Sequence, residues 1–174
     1  DLVEIRAVAP EGTPPEPMPV EDPPDDLPLQ TMVLNVTSKC NLGCTYCYEY
    51  GDDRLVDEGT MSRFMDEETA RESVEFMLDE AGEAERCHLT FFGGETLLNF
   101  QLLKKTLEYA RRRGEEEGKR IDFSLTTNGT MLRPEVIEWL AENVVVVTFS
   151  IDGPKEVQDK FRVSLQGVSK AAPA

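Results

Sequence analysis

The chain has 174 residues, enough for one domain with a sizeable core. No apolar run approaches the length of a membrane span and no basic, apolar leader opens the chain, so a membrane partner is excluded and the cytoplasm is the expected compartment. A net charge of −16 excludes a nucleic-acid partner, whose phosphates would be repelled.

The chain starts at Asp1 rather than Met, as expected of a fragment or a processed piece. Residues 1–30 are crowded with proline (Pro10, Pro14, Pro15, Pro17, Pro19, Pro23, Pro24, Pro28), and Arg6 is their one base among many acids. Proline removes donors and like charges repel, so this stretch predicts an extended, disordered linker. Order is expected from Thr31, where Met32 to Thr37 form a short apolar run fit for a buried strand.

That strand feeds a loop with three cysteines, Cys40, Cys44 and Cys47, spaced C-x₃-C-x₂-C. Three thiolates on one loop can grip one inorganic centre, and thiolates favour zinc, copper(I) or iron–sulfur clusters. A structural zinc wants four protein ligands, and only the distant Cys87 and His88 remain. A four-iron cluster on three cysteines fits better and leaves one iron open for an exogenous ligand.

Residues 48–65 read as an irregular excursion, in which Glu49 and Asp52 are conceivable acids or bases that nothing marks out. Asp66 can cap a helix carrying Ala70, Val74, Met77, Leu78 and Ala81, with Gly82 as its stop. Cys87 to Phe92 is the second strand. Asn99 can cap a second helix with Leu102, Leu103, Leu107 and Ala110 inward, a solvated end at 111–117, and Gly118 as terminator. Ile121, Phe123 and Leu125 alternate in a third strand. Pro134 suits the first turn of a third helix with Val136, Ile137 and Leu140. Val144 to Phe149 is a fourth strand, apolar on both faces and expected to need neighbours and covering helices.

The order β-α-β-α-β-α-β predicts an α/β fold with parallel strands, a partial (β/α) barrel of about four units over residues 31–163. Each strand ends in a polar or glycine-rich turn, and in barrels those ends carry the site. Gly93 and Gly94 would let a ligand approach the backbone, and Glu95 offers a carboxylate to a cation. Thr127, Asn128, Ser150 and Asp152 offer polar groups, or serve as turn formers and caps. Arg162 carries a fork suited to a carboxylate. Cys87 and His88 open a strand whose far end bears these turns, which places them at the wrong end for a ligand role.

The cysteine motif, with Tyr46 before its last cysteine, resembles the signature of the radical S-adenosylmethionine (SAM) superfamily. The resemblance implies a [4Fe-4S] cluster whose open iron chelates the methionine moiety of S-adenosyl-L-methionine, and a 5′-deoxyadenosyl radical as product. It implies that Glu95, behind Gly93 and Gly94, meets the methionine amine. Ser150, with Thr127, Asn128 and Asp152, would face the ribose, Arg162 the methionine carboxylate, and the Tyr46 backbone the adenine. The runs Leu89–Leu97, Phe123–Asn128 and Ser150–Glu156 resemble the peptide-modifying (SPASM-type) branch, above all quinohemoprotein amine dehydrogenase maturation proteins. Thr96 after Gly-Gly-Glu, where proline is commoner, supports that narrower likeness.

The likeness implies a Cys-to-Asp/Glu thioether cross-link in a partner polypeptide such as a small amine dehydrogenase subunit. It also implies an electron donor such as flavodoxin or ferredoxin. A sulfatase-maturing type is the runner-up, with a non-catalytic iron–sulfur fragment or a zinc-stabilised binding module as readings of another class. Residues 164–174 match nothing in the family and are expected to be a divergent tail. The auxiliary clusters of full-length relatives have no ligands here, so the chain alone is expected to be poorly soluble and unable to complete the cross-link.

Overall fold

The computed structural model describes residues 27–49 and 63–164, together with Gly12. The tail at 165–174, most of the proline-rich stretch, and Asp52 within the excursion lie outside the described residues.

Four strands, β1 (Thr31–Thr37), β2 (Arg86–Gly93), β3 (Arg120–Thr127) and β4 (Val146–Phe149), pair in parallel and in sequential order. Helices α1 (Glu67–Glu80), α2 (Phe100–Glu116) and α3 (Pro134–Glu142) connect them, and α4 (Lys155–Phe161) follows β4. Parallel strands joined through helices bring all their C-terminal ends to one rim.

The period-two pattern divides the sheet into two faces. Leu34 and Val36, then Cys87, Leu89 and Phe91, then Phe123 and Leu125 form the buried face. Onto it pack Val74 and Met77 of α1 and Leu103 and Leu107 of α2, and Phe91 stacks on Phe123 at 6.4 Å between centroids. The other face is polar and only partly covered. There His88 Nε2 lies 2.8 Å from Ser124 Oγ, which lies 3.0 Å from Thr90 Oγ1. One covered face and one open polar face are what a barrel wall needs.

Several predicted details hold. Asp66 accepts from the Thr69 N–H at 2.8 Å as the cap of α1, and Pro134 opens α3. Others differ. Asn99 does not cap α2. A 3₁₀ turn, Thr96–Asn99, runs straight into that helix, and the Asn99 amide donates instead to the carbonyls of Val36 and Met65. Hydrogen bonding begins before Thr31, because Leu29 N–H reaches the Glu80 carbonyl and the half-buried Leu29 packs on the core.

The helix end at 111–117 is an ion network: Arg113 binds Glu75, Glu116 and Glu117 together. The fourth strand starts two residues late, since Val144 sits at φ 53° in the turn that ends α3. It is apolar yet largely exposed, because β3 is its only strand neighbour among the described residues. Among the described residues no helix is long and apolar enough to cross a membrane.

Candidate active site

The strand ends open onto one cavity of about 180 Å³. Cys40, Cys44, Tyr46 and Cys47 line it from the loop after β1, Gly93 and Gly94 after β2, and Thr127 and Asn128 after β3. Ser150 after β4 and Arg162 after α4 complete the predicted residues that face it. Glu95 and Asp152 do not line it.

The loop is positioned by what surrounds it. The β1–β2 register slips between Asn35 and Thr37, just before the chain leaves β1 for the cysteine loop. The turn after β2 then lies directly on that segment: Gly94 N–H donates to Thr37 O at 2.9 Å and Glu95 N–H to Lys39 O at 2.8 Å. A Cβ on Gly94 would stand 2.7 Å from the Lys39 carbonyl carbon and 3.1 Å from Cys40 N, and Gly93 adopts φ 150°. The two glycines therefore serve a backbone-to-backbone contact beneath the cavity, besides bordering it. From the other side, Gly43 N–H reaches Val163 O at 2.7 Å and Thr45 N–H reaches Phe161 O at 3.1 Å.

Glu95, expected to present its carboxylate to an amine, points into the protein and is fully buried. Its Oε1 accepts from Leu97 N at 3.0 Å and Thr127 Oγ1 at 2.7 Å, and its Oε2 from Asn128 N at 2.8 Å. A buried acid needs such donors, and these tie the end of β2 to the end of β3. Asp152 is likewise no cavity residue. It accepts from Tyr46 Oη at 2.7 Å and from Arg162 Nε at 2.9 Å and Nη2 at 2.8 Å.

Burial alone would raise the Asp152 carboxyl, but the Arg162 and Tyr46 hydrogen bonds outweigh it and hold the group below the usual range. Burial of the hydroxyl, with Asp152 as acceptor, pushes the Tyr46 phenol up to about 12, so it remains a donor. Arg162 also lies over the Tyr46 ring, 5.7 Å from its centroid.

Burial pushes the Cys40 and Cys44 thiols up, opposed by the Leu42 N–H at Cys40 and by Arg162 at Cys44. Metal capture by this loop would therefore release protons. All three cysteines are free. They share one cavity, yet no three His, Cys, Asp or Glu among the described residues converge as ligands to a single ion. Three thiols on one cavity wall are the soft donor set that an iron–sulfur centre takes. Cys87 and His88 lie beside Gln30 and Thr31, at the opposite end of the sheet, as expected.

Glu49, a conceivable acid or base from the sequence, also lines the cavity, as do Leu42, Tyr48, Phe92 and Thr126, which the sequence did not single out as site residues. Phe92 and Thr126 were findable, because they continue the open-face alternation of Thr90 and Ser124. Asn41, which binds Asn128, carried no signal.

Comparison with known proteins agrees with this geometry. Residues 34–170 match the model of the radical SAM superfamily. The chain is 35% identical over 144 residues to the serine-type anaerobic sulfatase-maturating enzyme of Bacteroides thetaiotaomicron, covering 80% of this chain and 33% of that protein. It is 34% identical over 144 residues to the cysteine-type anaerobic sulfatase-maturating enzyme of Clostridium perfringens, covering 81% and 37%. The solved structure of native anSMEcpe with bound AdoMet and Cp18Cys peptide superposes with a TM-score of 0.68 at 31% identity, covering 82% of this chain and 37% of that one. The chain thus spans about a third of the length of these relatives. With the cysteine loop and the strand ends gathered on one rim, and the match running through all of them, the chain belongs to the radical SAM superfamily.

Proposed function

We propose that the chain is the N-terminal part of a radical SAM peptide maturase. On this reading Cys40, Cys44 and Cys47 hold a [4Fe-4S] cluster, and the strand ends bind S-adenosyl-L-methionine. The observation that carries it is the shared cavity of the three thiols, the Gly93–Gly94 turn, Thr127, Ser150 and Arg162. The cluster and S-adenosyl-L-methionine would supply a 5′-deoxyadenosyl radical for hydrogen abstraction. The chain's own residues bind and orient. Arg162, fixed by Asp152, offers a cation for the methionine carboxylate, and Ser150 offers a polar group for the ribose, whereas the buried Thr127 hydroxyl is engaged with Glu95 and the Gly129 N–H. The Gly93–Gly94 backbone, rather than the buried Glu95 side chain, is left to meet the amine. An external one-electron donor, such as flavodoxin or ferredoxin, supplies the electron, and the free thiols fit a reducing cytoplasm.

The substrate class is a peptide or protein, supported by the peptide bound in the solved relative. The finer reading is a Cys-to-Asp/Glu thioether in an amine dehydrogenase subunit, supported by the motif runs. Sulfatase maturation is the second reading, supported by what the relatives in B. thetaiotaomicron and C. perfringens are named for. Thr96 discriminates poorly between them, since it is the buried first residue of the 3₁₀ turn, a position proline also suits.

The deciding experiment is anaerobic reconstitution followed by S-adenosyl-L-methionine titration and assay for 5′-deoxyadenosine. Wild-type chain should bind about four irons and the cofactor. Arg162→Ala should keep the irons and lose about 10- to 100-fold in cofactor affinity, the equivalent of a charge-assisted hydrogen bond of about 1.5–3 kcal/mol. Unchanged affinity would remove Arg162 from the site. Cross-linking is read by mass spectrometry of a Cys/Asp-containing peptide as loss of two hydrogens with loss of the free thiol. Turnover to that product by this chain alone would show that no further domain is needed.

A further inference from the structure

We propose that Asn128 is a positioning residue for the Cys40 sulfur, whose side-chain amide raises the reduction potential of the bound cluster. The inference rests on the iron–sulfur site proposed above. Asn128 Nδ2 lies 3.9 Å from Cys40 Sγ, within reach of an N–H···S hydrogen bond. Cys40 Sγ also accepts from the Leu42 N–H at 3.4 Å. Among the described residues no comparable side-chain amide is seen to reach the sulfur of Cys44 or Cys47.

The amide is held in this orientation by a closed ring of three side chains. Asn128 Oδ1 accepts from Thr130 N at 3.0 Å and from Thr130 Oγ1 at 2.6 Å. Asn128 Nδ2 donates to Asn41 Oδ1 at 3.0 Å, and Asn41 Nδ2 donates to Thr130 Oγ1 at 2.7 Å. A flipped Asn128 would set its NH₂ against the Thr130 N–H, donor to donor, and its oxygen against Asn41 Oδ1, acceptor to acceptor. The ring therefore admits one orientation, and that orientation aims an N–H at Cys40. The Asn128 backbone is fixed in turn by the buried Glu95 through the 2.8 Å bond to Oε2. Glu95, Asn128 and Cys40 thus form a continuous connection from the protein interior to the first ligand.

The electronic consequence follows from charge. Reduction adds one negative charge to a cluster, and part of that charge resides on the thiolate sulfurs. A donor fixed on one sulfur stabilises the reduced state more than the oxidised state, so it moves the potential upward. This role differs from a ribose contact, because both ends of the Asn128 amide are already engaged within the protein.

The test is an EPR-monitored redox titration of the anaerobically reconstituted full chain, as wild type, Asn128→Leu and Asn41→Ala. Asn128→Leu removes the donor without adding charge, and its midpoint should become more negative. Asn41→Ala leaves the amide in place but loosens the ring, and should shift the midpoint the same way by less. A purely structural role would lower iron content while the midpoint of the loaded fraction stays at the wild-type value, and that result overturns the proposal. If Asn128→Leu takes up no iron, Asn41→Ala decides alone: a negative shift supports the proposal and an unchanged midpoint overturns it. A wild-type chain that binds no cluster sinks the iron–sulfur reading and this one with it. A loaded wild type with unshifted variants sinks this one only.

Discussion

Val144 has a backbone that runs against its side chain. It is β-branched, 79% exposed, and sits at φ 53°, a region such residues rarely enter. It occupies the turn after α3, donating its N–H to Ala141 O, where glycine or asparagine is usual. Val144→Asn should relieve about 1 kcal/mol of left-handed strain while giving up little burial. The check is a urea denaturation curve, with a higher midpoint and an unchanged slope expected. A lower midpoint would mean that the valine side chain has a packing role despite its exposure. This is also where the sequence misleads, because four valines in a row read as strand throughout and no glycine marks the turn. The same limit applies to Glu95 and Asp152. Both were recognisable as site acids, but an acid aimed into the protein looks in sequence like one aimed at a ligand. What separates them are Thr127, Leu97, Tyr46 and Arg162, partners brought in by the fold.

At the level of elements, the rim works because two turns touch. The Gly93–Glu95 turn lies on Thr37 to Cys40 so closely that no side chain fits at Gly94. Gly94→Ala should therefore push the cysteine loop aside and cost the reconstituted protein most of its iron, although no cysteine changes. Iron and sulfide analysis reads this directly, and full occupancy in the variant would show that the loop tolerates the displacement. The strands and helices that frame the rim were legible where periodicity is strong, as in Leu89, Phe91, Phe123 and Leu125, or in Ala70, Val74 and Met77. Helix α4 was not legible. It is seven residues long, and its one buried side chain is polar: Gln158, whose Oε1 accepts from Asp152 N at 3.0 Å. No apolar repeat announces such a helix. Asn99 was misassigned for a related reason, since two carbonyls distant in sequence claim the amide that local rules would give to a cap.

For the whole molecule, acidity sets the pH response. The Thr69 N–H holds Asp66 below the usual carboxylate range, as Arg113 and Tyr109 do for Glu75 and Arg86 and Arg120 for Asp122. Carboxyls depressed in the folded state bind protons more readily when unfolded, so their stabilisation is complete above the unfolded value of about 4 and is lost as pH falls through the lower folded values. Urea midpoints measured against pH should be nearly flat from neutrality to about pH 5 and drop steeply below about pH 4. A midpoint that rises on acidification would mean that relief of the −16 net charge outweighs these pairs. The cysteine loop adds a constraint of timing. Its tyrosine meets an aspartate 106 residues later, and its backbone is held by Phe161 and Val163 beyond that. A ribosome making this chain will have exposed all three cysteines long before it delivers the segment that holds them. The nascent loop is thus a set of open thiols awaiting its last partners. On the proposed iron–sulfur reading, loading would wait until synthesis has passed Val163, or those sulfurs would need shielding until then.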